Sequence, residues 1–395
     1  MKTKASSGLR LRLVVLLAIV GPGIITANVD NDAGGIATYS VAGALYGYKL
    51  LWLMPLVLVA LVVVQEMSAR LGVISGKGLA DLIRENMGVK LTAVVLGLLV
   101  IANFANTVSE FAGIAASMEI FGVSKYLSIP VASVLVWFLM TRGSYKVVER
   151  VFLVASAIYF CYIASGILAH PDWTRVLHGT IAPTFELSPA FVFMAITVIG
   201  TTIAPWMQFY QQSAIVDKGI EAKDYAYERI DVIVGSVLAV AVALFITISC
   251  AATLGAEHVP ITSAKDAAIA LRPLAGKFAS MLFALGLLNA SLFSAAILPV
   301  STAYGVCEAF GWESGIGKGI RRAPVFFWIY TAFIVVGASV ILLPIKSLVQ
   351  TMVESQTVNG LLLPVILIVM LRLINDRSVM GEFTNGRLFN ILAWA

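Results

Sequence analysis

Long apolar runs recur along nearly the whole chain, and they limit its fold more than any other feature. Runs of about 18 or more residues are long enough to cross, as helices, a hydrocarbon core roughly 30 Å thick. Hydrophobic residues make up 59% of the chain and charged residues only 12%, whereas about 25% of a soluble domain is charged. We therefore predict an all-α membrane protein.

The runs predict ten complete spans and the start of an eleventh. No gap between them would hold a separate soluble domain, so we expect one transmembrane domain over 1–395, with approximate halves 12–168 and 189–371. Basic residues precede the first run, as in a signal peptide, but no small-residue cleavage site follows, and we interpret the run as span 1. The predicted spans are 12–46, 50–68, 92–122, 127–141, 147–168, 189–217, 230–254, 278–309, 323–343 and 347–371, and the eleventh begins near Leu388.

The distribution of basic residues predicts the orientation of the chain. With the N-terminus inside, twenty of the 27 Lys and Arg residues fall in the inner tail and inner loops, and seven fall outside. This excess follows the positive-inside rule and agrees with an even number of complete spans. We expect a multi-pass protein of the plasma (inner) membrane with a cytoplasmic N-terminus, surrounded by lipid and without a nucleic-acid partner.

The cysteines and histidines do not indicate a cofactor. Three cysteines lie inside or at the end of spans at unrelated spacings, which is typical of small core residues rather than of a disulfide or zinc site. All three histidines fall in predicted outer loops, which leaves none in the bilayer for a proton relay. These residues are Cys161, Cys250 and Cys307, and His170, His178 and His258.

Spans 1 and 6 contain residues that a simple membrane helix should not contain. Residues 30–35 of span 1 read Asp-Asn-Asp-Ala-Gly-Gly, and residues 200–205 of span 6 read Gly-Thr-Thr-Ile-Ala-Pro. Proline removes a backbone donor and paired glycines free the backbone to unwind, so we expect both helices to be discontinuous at mid-membrane. Unpaired backbone groups at that depth are tolerated only where they line a cavity or a ligand.

The two breaks fall in the first and sixth of ten spans, which are corresponding places if the chain consists of two five-span halves. That pattern indicates an inverted-repeat (five plus five) transporter fold with its binding site between the broken helices. The alternative is that these glycines and prolines are ordinary kinks or packing points of membrane helices.

Acidic residues inside the predicted spans are candidate cation ligands, because an intramembrane carboxylate costs about 2.5–3.5 kcal/mol. Asp32 lies in the first break beside two glycines and is the first candidate. Asp30 is either a second ligand or a cap of the outer half-helix. Glu110, in the polar part of span 3, belongs either to the ion path or to an internal hydrogen-bond network.

Polar residues also open span 10, before its apolar run. They are Glu354, Ser355, Gln356, Thr357 and Asn359. Their side chains either bind the waters of an ion or make interhelical hydrogen bonds. We include Gln356 among the predicted metal-site residues.

Three segments resemble the Nramp divalent-metal transporters, and the match covers nearly the whole chain in span order. Asp32-Ala33-Gly34-Gly35 stands where that family has Asp-Pro-Gly-Asn, and Ala204-Pro205-Trp206 stands where it has Met-Pro-His. The third segment runs from Gly47-Tyr48-Lys49-Leu50-Leu51-Trp52 to Ser68-Ala69-Arg70-Leu71-Gly72. Each motif is altered, but together they are specific.

The resemblance implies a carrier for divalent cations in which Asp32, Glu110, Thr201 and Ala204 border the ion, Thr201 through its main chain. In the family, the Asp, Asn and Met of the motifs coordinate a transition metal; here Gly35 replaces the amide and Ala204 the thioether. Loss of the soft thioether removes the preference for transition metals. A wider site with one or two acids suits partly hydrated Mg²⁺, which we expect to be the main cargo, with Mn²⁺ as a second one.

The same alterations are similar to the divergent Nramp-related magnesium transporter branch. Trp206 stands where the family has a histidine, and Thr107 where it has an acid of the proton route, so we expect alternating access without proton coupling. The main alternative is a proton-coupled Mn²⁺ or Fe²⁺ transporter of the ordinary Nramp type. A sodium-coupled symporter shares the architecture but lacks these motifs, and an enzyme is not expected because no HExxH or GxSxG motif occurs.

Overall fold

The structure is a computed structural model that describes residues 29–142, 156–257, 260–344 and 347–394. Within these ranges all regular structure is helical, without a strand. Residues 12–28 of predicted span 1, the start of predicted span 5 and His258 lie outside the described residues.

Seven helical segments among the described residues are long and apolar enough to cross a membrane. They coincide with predicted spans 2, 3 and 6–10, which confirms a multi-pass helical membrane protein. These segments are Leu53–Ser75, Val89–Ile120, Pro189–Lys218, Ala222–Gly255, Ala264–Phe310, Pro324–Leu342 and Leu348–Ile374.

The remaining predicted spans are represented by shorter helices. Span 4 is Lys125–Arg142, and the described part of span 5 is the helix Phe160–Leu168 after a 3₁₀ turn. The described part of span 1 contains the helix Ala33–Tyr46, and Arg387–Trp394 is helical where the eleventh span is predicted to begin. Two short helices, Leu79–Met87 and Trp173–Ile181, lie between spans.

Both predicted helix breaks are present. In span 1 the helix ends at Asp30, and a new helix begins at Ala33 after an extended residue, Asp32, whose φ and ψ are −70° and −176°. In span 6 the first half is Pro189–Thr202 and the second is Pro205–Lys218. Proline suits the first position of a helix because its missing N–H has no intrahelical partner there.

The broken spans are enclosed by long continuous helices. Span 3 packs along spans 8 and 10, and the second half of span 6 packs along span 2. The first half of span 6 and span 10 meet at two glycines, where a Cβ on Gly200 would lie 2.2 Å from the nitrogen of Gly360. Their backbones can approach this closely only without side chains at that crossing.

Candidate metal site

Two carboxylates meet the start of the half-helix that follows the first break. The Asp32 Oδ1 atom accepts a hydrogen bond from the Gly35 nitrogen at 2.6 Å, and the Glu110 Oε2 atom accepts one from the Ala33 nitrogen at 3.3 Å. Both side chains are buried. The first amides of a helix lack backbone partners and favour negative charge, which explains why these acids are tolerated here.

Gly35 marks a small space where oxygen atoms of both breaks converge. A Cβ on Gly35 would lie 2.8 Å from the carbonyl oxygen of Asp30, and 3.3 Å from both Asp32 Oδ1 and Thr201 Oγ1. The structure therefore brings Asp32, Gly35 and Thr201 together, from segments about 170 residues apart in the sequence. A side chain at Gly35 would fill this oxygen-lined space.

Four buried oxygen atoms in this region have no hydrogen-bond partner. They are Asp30 Oδ1, Asn31 Oδ1, Glu110 Oε1 and Thr201 Oγ1. Buried polar atoms without a partner are rare in folded proteins, and each one requires an explanation such as a water molecule or an ion. All four are acceptor atoms of the kind that hard cations bind.

The second break offers less to an ion. The Ala204 carbonyl already accepts the Met207 nitrogen at 3.1 Å. With its amide nitrogen turned toward the break, Gln208 also donates to the carbonyl oxygens of Ala204 at 2.9 Å and Pro205 at 2.8 Å. Ala204 therefore contributes a methyl group rather than a free oxygen, and Trp206 beside it is fully buried.

Gln356 lies directly on the first break, but its amide is engaged in hydrogen bonds. A Cβ on Gly34 would lie 1.8 Å from Gln356 Nε2, so only glycine leaves room for this amide. Gln356 Oε1 accepts from Asn359 Nδ2 at 2.8 Å, and Nε2 faces Asn106 Oδ1 at 3.4 Å. Of the two roles predicted for this segment, the interhelical hydrogen bond is the one present in the structure.

Other residues of the site were not predicted. Asn31 was not singled out, although its Oδ1 atom is unpaired and its Nδ2 atom donates to the Ala239 carbonyl at 3.4 Å. Its position between two acids in the break was the available signal. Asn359 is predicted only as a member of the polar stretch of span 10, and Asn106 lies in the polar part of span 3, because nothing in the sequence shows that the two face each other.

The side chains in the described part of the chain also limit which kinds of ligand a metal ion could have. No group of three His, Cys, Asp or Glu side chains is placed to hold a metal there. The oxygen donors around the breaks are the carboxyl groups of Asp30, Asp32 and Glu110, together with amide, hydroxyl and backbone oxygens.

Comparison with known proteins decides the family. The family model described as "Natural resistance-associated macrophage protein-like" (Nramp) matches residues 23–395. The chain belongs to the Nramp family. Among curated Nramp relatives, the "Divalent metal cation transporter MntH" of Ralstonia nicotianae is 29% identical over 96% of this chain and 88% of its own length. The MntH protein of Granulibacter bethesdensis is 26% identical over 96% and 85%, respectively.

Solved structures confirm the transporter fold of this Nramp chain. The manganese transporter of Eremococcus coleocola superposes with a TM-score of 0.78 at 24% identity, covering 96% of this chain and 83% of that one. The nucleobase-cation-symport-1 family transporter Mhp1 gives a TM-score of 0.59 at 14% identity, covering 93% and 82%. The predicted inverted-repeat fold with broken spans 1 and 6 agrees with these neighbours.

Proposed function

We propose that this Nramp protein is a membrane carrier for divalent metal cations and that Mg²⁺ is its main cargo, with Mn²⁺ as a second one. The ion would bind partly hydrated between the two breaks and be exposed alternately to each side. The observation that carries the proposal is the set of unpaired buried oxygens on Asp30, Asn31, Glu110 and Thr201. The divalent-metal transport function of the MntH relatives supports this general class.

The choice of Mg²⁺ rests on donor chemistry. Mg²⁺ is a hard ion that keeps several waters and is usually held by one or two carboxylates, whereas thioether and imidazole ligands favour transition metals. Asp32 and Glu110 supply the carboxylates, and Ala204 and Trp206 supply no metal ligand. This is the donor set expected for a hydrated, hard cation.

The space at Gly35 is only partly open to water. The missing side chain by itself predicts open space, but the Asp30 carbonyl oxygen lies 2.8 Å from the Cβ position. The backbone of the break therefore occupies part of that space. At Ala204, in contrast, a buried methyl group stands where the family has a longer thioether, and we propose that the ion keeps its water on this side of the site.

We also propose that transport is not coupled to protons. Thr107, which stands where the family has an acid, uses its hydroxyl to donate to the Asn103 carbonyl at 2.8 Å. Neither Thr107 nor Trp206 titrates near neutral pH. The proton-coupled Mn²⁺ or Fe²⁺ transporter remains the alternative function, and a proton measurement separates the two.

The orientation belongs to the same proposal. A cytoplasmic N-terminus in the plasma (inner) membrane follows from the excess of basic residues on one side. The single transmembrane domain with halves 12–168 and 189–371, and the continuation of an eleventh span, stay predictions from the sequence.

Uptake into proteoliposomes tests these points together. Purified protein is reconstituted with a pH-sensitive dye inside, and uptake of Mg²⁺, Mn²⁺ and Ca²⁺ is compared with that of protein-free vesicles. We expect Mg²⁺ and Mn²⁺ uptake without internal acidification. Acidification that depends on the metal would support the proton-coupled alternative, and the absence of uptake of any divalent cation would contradict the carrier function.

A further inference from the structure

Ser294 of span 8 carries a fully buried hydroxyl group without a hydrogen-bond partner. A serine or threonine inside a helix often donates to the carbonyl oxygen four residues earlier. On the same span, Ser291 Oγ donates to the Leu287 carbonyl at 2.6 Å. Thr302 Oγ1 likewise donates to the Leu298 carbonyl at 3.3 Å. A buried hydroxyl that makes no such bond requires an explanation, such as an ordered water molecule or a ligand.

Two contacts fix how spans 3 and 8 are aligned. A Cβ on Gly113 would lie 2.3 Å from Ser291 Oγ, and Asn103 Nδ2 donates to Thr302 Oγ1 at 2.9 Å. The second contact lies ten residues before the first on span 3 and eleven residues after it on span 8. The two helices therefore run antiparallel and keep one register over about three turns.

In this register, Ser294 is level with Glu110. Glu110 lies three residues before Gly113, and Ser294 lies three residues after Ser291. Both are thus about 4.5 Å along the helix axes from the Gly113–Ser291 contact, in the same direction. Glu110 is also fully buried, and its Oε1 atom also has no partner. An unpaired carboxylate oxygen and an unpaired hydroxyl therefore lie at one level of two packed helices.

Ser294 also lies on the side of span 8 that meets both helix breaks. Ser301 follows it by seven residues, or two turns, so both project from the same side of the helix. Ser301 Oγ donates to the Trp206 carbonyl at 3.0 Å, directly after the second break. At the other end of this face, a Cβ on Gly113 would lie 2.4 Å from the Ala33 Cβ atom in the first break. Ser294 is thus located between a contact to each break.

We propose that Ser294, together with the unpaired oxygen of Glu110, holds a water molecule that the cation keeps when it binds between the breaks. A water bound to a cation through its oxygen points its two hydrogens away from the ion. The Glu110 carboxylate and the Ser294 hydroxyl supply one acceptor for each hydrogen. The inference rests on the proposed carrier function and adds a positioning residue to it, because Ser294 reaches the ion only through water.

This role makes Ser294 a determinant of specificity. Mg²⁺ is small and sheds its waters reluctantly, so it keeps several of them when it binds to a protein. A residue that holds one of these waters contributes more to the binding of Mg²⁺ than to that of a larger ion such as Mn²⁺, which sheds water more readily. We therefore expect the loss of the hydroxyl to affect Mg²⁺ uptake more than Mn²⁺ uptake.

The experiment compares two substitutions of similar size, Ser294→Val and Ser294→Thr, in proteoliposomes. Both add one carbon-sized group, but only threonine keeps the hydroxyl. We expect the apparent KM for Mg²⁺ uptake to be about fivefold higher in Ser294→Val than in Ser294→Thr, because a water-mediated hydrogen bond is nearly as favourable as a direct one. The KM for Mn²⁺ should differ less between the two variants.

Alanine variants separate this role from packing. Ser294→Ala adds no atom, and it should raise the KM for Mg²⁺ about fivefold with an unchanged melting temperature. Ser291→Ala is the matched control, because Ser291 is a buried serine on the same span whose hydroxyl bonds its own helix. Its KM for Mg²⁺ should stay at the wild-type value.

A wild-type KM for Mg²⁺ in Ser294→Ala, or an equal increase in Ser291→Ala, would overturn the inference. Should the valine or threonine variant fail to fold, the comparison of the two alanine variants decides alone. An equal increase in KM for Mg²⁺ and Mn²⁺ in Ser294→Ala would overturn the role in specificity. A wild type that takes up neither Mg²⁺ nor Mn²⁺ would contradict the carrier function itself.

Discussion

The two helix breaks have the same place in the two halves of the fold, but they differ in chemistry. The first break carries Asp32 and leaves oxygens of Asp30 and Asn31 unpaired. At the second break, Gln208 and Met207 satisfy the Ala204 carbonyl. The first break therefore carries the charge and most of the unpaired oxygen atoms, whereas the second break contributes mainly shape.

The two neighbouring threonines of the second break differ in the hydrogen bonds of their hydroxyl groups. Thr201 Oγ1 has no partner and faces the space at Gly35, whereas Thr202 Oγ1 donates to the Val198 carbonyl at 2.8 Å and bonds the Tyr39 hydroxyl at 2.9 Å. Thr201 is thus available to an ion, and Thr202 ties the second break to span 1.

The largest effect is expected at the first break. Asp32→Ala should reduce Mg²⁺ uptake at least about a hundredfold, because loss of one partner of a buried charged contact costs about 2–5 kcal/mol. The variant loses the Asp32 cap on the Gly35 nitrogen, but loss of a helix cap costs only about 1 kcal/mol, so the protein should still be purified in a folded state. Asp376→Ala is the control, because Asp376 is an exposed acid that follows span 10. Uptake near the wild-type rate in Asp32→Ala would contradict the site assignment.

An intermediate effect is expected from the threonine pair. Thr201→Val should raise the apparent KM for Mg²⁺ about fivefold through the loss of one oxygen ligand, with the melting temperature unchanged. Thr202→Val should instead lower the melting temperature by a few degrees, because it removes the bond to Tyr39. The two variants are each other's controls. If they change KM equally, the unpaired Thr201 hydroxyl has no special role.

The smallest effect is expected in selectivity at the second break. Ala204→Met should lower the ratio of Mg²⁺ to Cd²⁺ affinity about threefold, because a thioether favours the softer ion and fills space needed for water. Calorimetry on purified protein measures the ratio, and Ala195→Met on the same span is the control. An unchanged ratio would mean that selectivity is set at the first break and at Glu110.

Adding Gly35→Asn to Ala204→Met sharpens the same test. A Cβ atom added at position 35 would lie 2.8 Å from the Asp30 carbonyl oxygen, so the backbone of the first break must shift. We therefore expect the double variant to lower the Mg²⁺ to Cd²⁺ ratio further but also to lower the melting temperature, as overpacking of a buried site does. A lower ratio without any loss of stability would show that the break is more adaptable than its geometry indicates.

Much of the fold could be predicted because membrane helices have strong local signals. Length and hydropathy located spans 2, 3 and 6–10 to within a few residues at most ends, and the Gly and Pro clusters located both breaks. These signals are local because each helix satisfies its own backbone hydrogen bonds. The metal ligands stay predictions, although Asp32, Glu110, Gly35 and Thr201 do lie around one region.

What the sequence determined by itself is the set of helices, the places where two of them break, and the presence of carboxylates with no soft ligand beside them. Only the tertiary structure decided which atoms meet: the Thr201 hydroxyl at Gly35, the Glu110 carboxylate at the Ala33 amide, and the Asn106–Asn359 pair beneath Gln356. The reason is physical. Backbone conformation depends on neighbouring residues, whereas contacts between distant spans depend on how helices pack, and the close approach at Gly200 and Gly360 is visible only once both helices are in place.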